Sequence, residues 1–194
     1  MTLYHTALSS GSITYKNVPE TTKAIHSKGT MLQNDIIKEG LPEAFDECDV
    51  FYSEPPWTKG FKVFNERANV TDSSYQDLIT ALQKIILQTS RPVYLTSSKS
   101  MIKGLPEPNQ LFETKLNGGD ALLGVWNDEY FDDKTNTNVI CQNLGKRYFC
   151  MGDFTCGYGD CILNFLKGGG QRFVASDFDG KCITVMSTRF KKVK

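Results

Sequence analysis

Two short stretches of the chain hold the residue types from which a binding and catalytic site could be built. The first is Ser53-Glu54-Pro55-Pro56-Trp57. It follows Val50-Phe51-Tyr52, an apolar run of the kind that forms a strand buried on both faces of a parallel sheet. The prolines cannot donate ladder hydrogen bonds, so the strand stops there. In an open α/β sheet the carboxyl end of a strand is where ligands bind. An acid (Glu54), a rigid carbonyl (Pro55) and a flat ring (Trp57) at that edge suit a planar, amine-bearing ring. A strand ending in a proline turn with a packing tryptophan is the plainer reading of the same residues.

The second stretch is Asp153-Phe154-Thr155-Cys156-Gly157-Tyr158-Gly159, lying between a predicted strand and a predicted helix. Glycines in such a turn let backbone N–H groups approach a ligand that a Cβ would hold off. Gly157 and Gly159 by themselves are a weak signal. Asp177 strengthens it, because the next predicted strand ends there. A carboxylate at that point can accept hydrogen bonds from both hydroxyls of a ribose. Phe178 beside it could pack on an adenine or into the core. Asp177 could instead cap the last helix.

The elements that must position these residues are read from periodicity and turn chemistry. Residues 1–28 are polar and read as an N-terminal arm, with a short strand near Ile13. Residues 29–194 read as one α/β domain. Its expected strands are 29–33, the run into Pro55, 91–96, 111–116, 121–126, 147–151 and 172–175. The turn Asn117-Gly118-Gly119-Asp120 makes a hairpin of the fourth and fifth of these. Leu78, Leu82, Ile85 and Ile86 recur at helical spacing, so a helix is expected over 73–89, capped by Asp72 or Ser73. Further helices are expected over 161–167 and 180–190. Residues 58–72 read as a long loop of the sort that closes over a site, with Lys59 on it, and 127–146 as a short acidic linker.

Composition is that of an ordinary globular domain, with 40% hydrophobic and 23% charged residues and no net charge. No global field draws in a polyanion, although ten of the twenty-two Lys and Arg residues, against four of the acids, lie from Lys134 onward. Six cysteines without a secretory signal read as free thiols, and with two histidines and no paired cysteine spacing no metal site is expected. Without an apolar span or leader, the expected setting is cytoplasmic, away from a membrane.

The two stretches together resemble the class I S-adenosylmethionine-dependent amino-methyltransferases that modify the exocyclic nitrogen of adenine or cytosine. Asp153-Phe-Thr-Cys-Gly-Tyr-Gly159 resembles the family's Asp-Pro-Phe-Cys-Gly-Ser-Gly cofactor loop, and Gln171-Arg-Phe-Val-Ala-Ser-Asp177 the strand ending in its ribose-binding acid. Ser53-Glu-Pro-Pro-Trp57 resembles the catalytic tetrapeptide Asp/Asn/Ser-Pro-Pro-Tyr/Phe/Trp. Met31-Leu-Gln-Asn-Asp35 resembles the strand and acidic turn that precede it. The catalytic half (29–126) comes before the cofactor half (147–194), the order of the family's permuted class.

The resemblance implies a Rossmann-like, seven-stranded mixed sheet with helices on both faces. It implies S-adenosylmethionine at Asp35, Asp153, Phe154, Thr155, Cys156, Gly157, Gly159, Asp177 and Phe178. It implies catalysis at Ser53, Glu54, Pro55, Pro56 and Trp57, on a nucleobase amine in DNA or RNA, adenine N6 favoured. Sequence-reading members carry a recognition region where this chain has only 127–146. Relaxed specificity, or a partner subunit or second copy supplying recognition, follows. Glu54 stands where active members mostly carry Asp, Asn or Ser, and Glu-Pro-Pro also resembles the tetrapeptide of non-catalytic partner subunits. A non-catalytic binding subunit, or a methyltransferase acting on a protein amide or small molecule, are the alternatives.

Overall fold

A computed structural model describes residues 22–70, 72–130 and 132–191. Among them eight strands form one mixed sheet: β1 (Lys23–His26), β2 (Gly29–Gln33), β3 (Val50–Ser53), β4 (Val93–Ser97), β5 (Gln110–Leu116), β6 (Gly119–Trp126), β7 (Cys150–Asp153) and β8 (Arg172–Asp177). Their spatial order is β1-β2-β8-β7-β3-β4-β6-β5. The five central strands, β2 to β4 in that order, run parallel. β1 at one edge and the β5–β6 hairpin at the other run antiparallel.

Side chains alternate across a strand, and each face of this sheet has its own core. Val50 and Tyr52 point into one core, with Ile140, Leu144, Ile162, Phe165, Ile183 and Phe190. Phe51 points into the other, with Leu78, Leu82, Ile85, Met101 and Ile102. The helices therefore form two layers. α1 (Thr58–Ala68), α2 (Tyr75–Gln88) and α3 (Lys99–Lys103) cover the second face; α4 (Thr137–Arg147), α5 (Asp160–Gly168) and α6 (Gly180–Phe190) cover the first.

The departures from the sequence reading have local causes. The strand expected near Ile13 lies outside the described residues. The expected arm, however, contains β1, which brings the strands to eight rather than seven. β1 is four residues long with two of them exposed, a short edge strand that apolar patterning does not mark. The expected loop over 58–72 is mostly helix α1. Its pattern was weak because the helix buries only Phe61 and Asn65, and it ends where Asn69 turns left-handed at φ 55°. The cap of α2 is Ser74, whose hydroxyl accepts from the Asp77 N–H while the Asp77 carboxylate accepts from the Ser74 N–H. Asp72 instead pairs with Lys38 at 2.7 Å. The expected linker over 127–146 holds most of α4, capped by Asn136 and buried through Ile140, Cys141 and Leu144.

Helices α4 and α5 approach closely because glycine stands at their contact. A Cβ on Gly145 would fall 2.1 Å from the Phe165 carbonyl oxygen, and one on Gly168 would fall 2.0 Å from that of Gln142. Both obstacles are backbone, which no rotamer change relieves. Gly145→Ala would ordinarily favour a helix by about 1 kcal/mol. Here it is expected to destabilise the fold by about 1–3 kcal/mol through overpacking, read from urea unfolding; unchanged or raised stability would refute that close contact.

Candidate active site

The chain leaves β7 through α5 to reach β8 on one side, and leaves β3 through α1 and α2 to reach β4 on the other. Between β7 and β3 the winding reverses, and a crevice opens beyond the carboxyl ends of the strands at such a point. Its foundation is a pair of side chains one hundred residues apart. The Ser53 hydroxyl donates to Asp153 Oδ1 at 2.7 Å and accepts from the Phe154 N–H at 3.0 Å. Asp153 Oδ1 also accepts from the Thr155 N–H at 3.2 Å. Both side chains are fully buried, at 0% and 1% exposure, so Ser53 and Asp153 lie beneath the crevice rather than in its lining. Burial, reinforced by the nearby carboxylates of Glu54 and Asp177, pushes the Asp153 carboxyl up to about 8 against the pull of its hydrogen bonds.

Above this pair is a cavity of about 650 Å³. Glu54, Pro55, Pro56 and Trp57 line it from the end of β3, and Phe154, Thr155, Cys156 and Gly157 from the end of β7. Asp177 and Phe178 line it from the end of β8, and Asp35 from the turn after β2. The two stretches singled out in the sequence thus share one cavity. Gly159 stands outside the lining: at φ 83° it is the first cap of α5, and a Cβ there would strike Met186 at 2.8 Å.

The glycine turn is shaped for close approach. Gly157 has φ 50° and open space where a Cβ would stand. Its N–H is held at 2.9 Å by Asp177 Oδ2, while Asp177 Oδ1 accepts from the Asp179 N–H at 3.0 Å. Asp177 is therefore not the cap of α6; Asp179 is, accepting from the Lys181 N–H. Burial raises the Asp177 carboxyl to about 6, with the two backbone bonds pulling it back down. Arg189 straps the turn from outside, donating to the Tyr158 carbonyl and to Asp160 Oδ1, both at 2.6 Å. Asp35 shapes its own turn by accepting from the Ile37 N–H at 3.0 Å.

On the other wall, Glu54 is half-buried, and the Tyr52 hydroxyl donates to its Oε1 at 3.0 Å. Burial raises its carboxyl above the ordinary value, opposed by interactions with Thr137, Tyr52 and Cys161. The Trp57 indole N–H is buried with no hydrogen-bond partner among the described residues. α1 begins directly after it and brings Lys59 and Arg67 to the cavity. Residues 58–68 thus do flank the site, as a helix.

Sequence reasoning missed an arm of the cavity. Asn117 at the hairpin tip, Thr137 and Asn138 at the start of α4, and Asn164 and Lys167 on α5 also line it. Asn164 donates to Asn138 Oδ1 at 2.8 Å. The spacing of Asp160, Asn164 and Lys167 marks one helix face, yet nothing local says what that face meets. The lining carries acids at Asp35, Glu54, Asp160, Asp177 and Asp179 against Lys59, Arg67 and Lys167, a setting that favours amines and cations. All six cysteines are free, and Cys156, Cys161 and Cys182 are among the lining residues. No helix among the described residues is long and apolar enough to cross a membrane.

No protein-family model and no curated protein matches the chain. Solved structures do. The M1.HpyAVI–SAM complex aligns with a TM-score of 0.50 at 10% identity, over 83% of this chain and 98% of that one. The fold is shared with that structure. TTHA0409 of Thermus thermophilus, described as a candidate DNA modification methylase, aligns with a TM-score of 0.47 at 8% identity, over 74% of this chain and 86% of that one.

A buried carboxyl that is neutral in the folded protein but ionised in the unfolded chain makes stability fall as pH rises between its two values. Asp153 supplies such a contribution, present below about 4 and lost as pH rises through about 8. Asp153→Asn is expected to remove it, so the stability of the variant relative to the parent should climb across that window in denaturant titrations at stepped pH. A difference that stays flat with pH would show that Asp153 is ionised in the fold.

Proposed function

We propose that this protein is an S-adenosylmethionine-dependent methyltransferase acting on the exocyclic amine of a nucleobase, with adenine N6 the favoured acceptor. The observation that carries the reading is the shared cavity of Glu54-Pro55-Pro56-Trp57 and the Phe154–Gly157 turn with Asp177. The fold it shares with a SAM complex supports the cofactor. So does the turn itself: an open glycine beside a buried carboxylate is a fit for a nucleoside with free ribose hydroxyls.

S-adenosylmethionine would supply an electrophilic sulfonium methyl. The residues of this chain do the rest. Asp177 would accept from the cofactor's ribose hydroxyls, with Gly157 giving access, Phe178 would pack beside the adenine, and Asp35 and the 154–156 backbone would bound the site. Glu54 and the Pro55 carbonyl accept the two N–H bonds of the acceptor amine. That favours a pyramidal nitrogen, whose lone pair is otherwise delocalised into its ring. Orientation and fixed electrostatics provide most of the rate in such a site. Trp57 stacks on the acceptor ring, a contact worth about 1–3 kcal/mol per base, and a duplex base has to be flipped out to reach it. Ser53 and Asp153 act from below, holding the two walls in register.

The order of the halves corresponds to the permuted class of these enzymes. With α4 in place of a recognition region, target selection is relaxed or is supplied by a partner subunit. A second reading, an amine-bearing small molecule or protein amide as acceptor, is favoured by the excess of acids over bases in the lining, which does not suit a polyanion.

Isothermal titration with S-adenosylmethionine and its demethylated product is expected to show binding; its absence would remove the enzymatic reading. Asp177→Asn should weaken that binding about tenfold or more, as for loss of hydrogen bonds to a charged group. Affinity should also fall as pH drops through about 6, where the Asp177 carboxylate takes up its proton. Mass spectrometry of nucleosides from expressing cells is expected to show new methyladenine, while an unchanged profile would favour the second acceptor class. Trp57→Ala should weaken acceptor handling and spare cofactor affinity, in kinetics with a single-stranded oligonucleotide.

A further inference from the structure

Glu54 is one methylene longer than aspartate, a displacement of roughly 1–1.5 Å for its carboxylate, enough to misplace an acceptor group unless something holds it. The structure holds it from two elements. Tyr52 lies two residues earlier on β3 and so faces the same side of the sheet. Its hydroxyl donates to Glu54 Oε1 at 3.0 Å and is bonded to Thr96 Oγ1 of β4 at 2.8 Å. With the Tyr52 proton committed to Glu54, the Thr96 hydroxyl donates to Tyr52, and both donors point toward the carboxylate. Tyr52 and Thr96 are 0% exposed, and the tyrosine ring is packed in the core. Neither hydroxyl is open to water. Thr137, the first residue of α4, lines the same cavity as Glu54.

We propose that Tyr52, backed by Thr96, is a positioning residue that clamps the Glu54 carboxylate as acceptor for the substrate amine. This rests on the methyltransferase reading. The clamp suits a glutamate, because the Tyr52 hydroxyl reaches the carboxylate from a strand residue two positions back and is itself held from the neighbouring strand. A flexible three-bond side chain fixed in this way loses its rotamer entropy on folding rather than on substrate binding. The other titratable groups facing Glu54 are Cys141 on α4, Asp160 and Cys161 on α5, and Asp153 at the end of β7. Burial disfavours the charge, and the bond from the Tyr52 hydroxyl opposes that effect.

The test uses the full chain with Tyr52→Phe, Thr96→Val and Thr96→Ser. Methyl transfer from S-adenosylmethionine to a single-stranded oligonucleotide of all four bases is measured against pH. Tyr52→Phe is expected to lower kcat about tenfold or more, to leave the KM for the cofactor in place and to move the acid limb of the profile upward. Thr96→Val should do the same to a smaller extent, and Thr96→Ser should restore both. Without any substrate, carbon-13 NMR of the Glu54 carboxyl, assigned with Glu54→Gln, should show a higher titration midpoint in Tyr52→Phe than in the parent. A rate loss with the acid limb and midpoint unmoved would mark packing damage and overturn the clamp. Unchanged rates would overturn it as well. If the parent transfers no methyl group, the enzymatic reading fails by itself, and the carboxyl midpoint still decides whether Tyr52 holds Glu54.

Discussion

The hydrogen bond from Ser53 to Asp153 joins the carboxyl ends of β3 and β7 at the point where the winding of the sheet reverses. The two motif-bearing segments of the crevice take their positions from that junction. The loop that begins at Glu54 and the turn that begins at Phe154 leave the sheet from adjacent, bonded residues, so their separation cannot drift. The same bond makes a buried carboxyl tolerable, since Asp153 receives both a hydroxyl and a backbone N–H in place of water. A neutral carboxyl beneath an acidic cavity also adds less negative charge to the floor than an ionised one would.

Two cores on opposite faces of one sheet explain why the site is stiff where chemistry would occur and polar where a ligand would enter. Tyr52 and Phe51 are neighbours in sequence but belong to different cores, and the strand between them is clamped from both sides. α4 and α5, drawn together through glycine, cover the face on which Tyr52 lies and deliver Thr137, Cys161 and Asn164 to the cavity. α1 and α2 cover the other face, and α1 carries its basic residues to the opposite wall. The cavity is therefore a seam between the two helical layers, opening past the ends of the parallel strands.

Much of this was legible in the chain. The runs that became β3, β4 and β8 are apolar with β-branched or aromatic residues, and Pro55 and Pro56 follow closely on the end of β3; the strand expected over 147–151 is shifted to Cys150–Asp153, passing through Gly152 instead of stopping before it. The hairpin follows from Asn117-Gly118, both at positive φ. Elements with few buried residues were not legible. α1 shows the sequence only two buried positions, and β1 is a four-residue edge. α4 was hidden behind the acidic tract that precedes it, although Ile140, Cys141 and Leu144 have helical spacing. The choice of Ser74 over Asp72 as a cap depended on where Lys38 lies, thirty-four residues earlier.

What the sequence by itself determined is the pair of strand-ending motifs, the residue types they carry, and the α/β class, because these depend on neighbours a few positions away. The tertiary structure alone decided that Ser53 and Asp153 sink below the site, that Asp179 rather than Asp177 caps the last helix, and that Tyr52 is braced by Thr96 as it reaches Glu54. It also brought the hairpin tip and two helices to the same cavity. Each of these depends on which strands become neighbours in the sheet, and strand order is set by burying two apolar faces at once. No window of local sequence contains that condition.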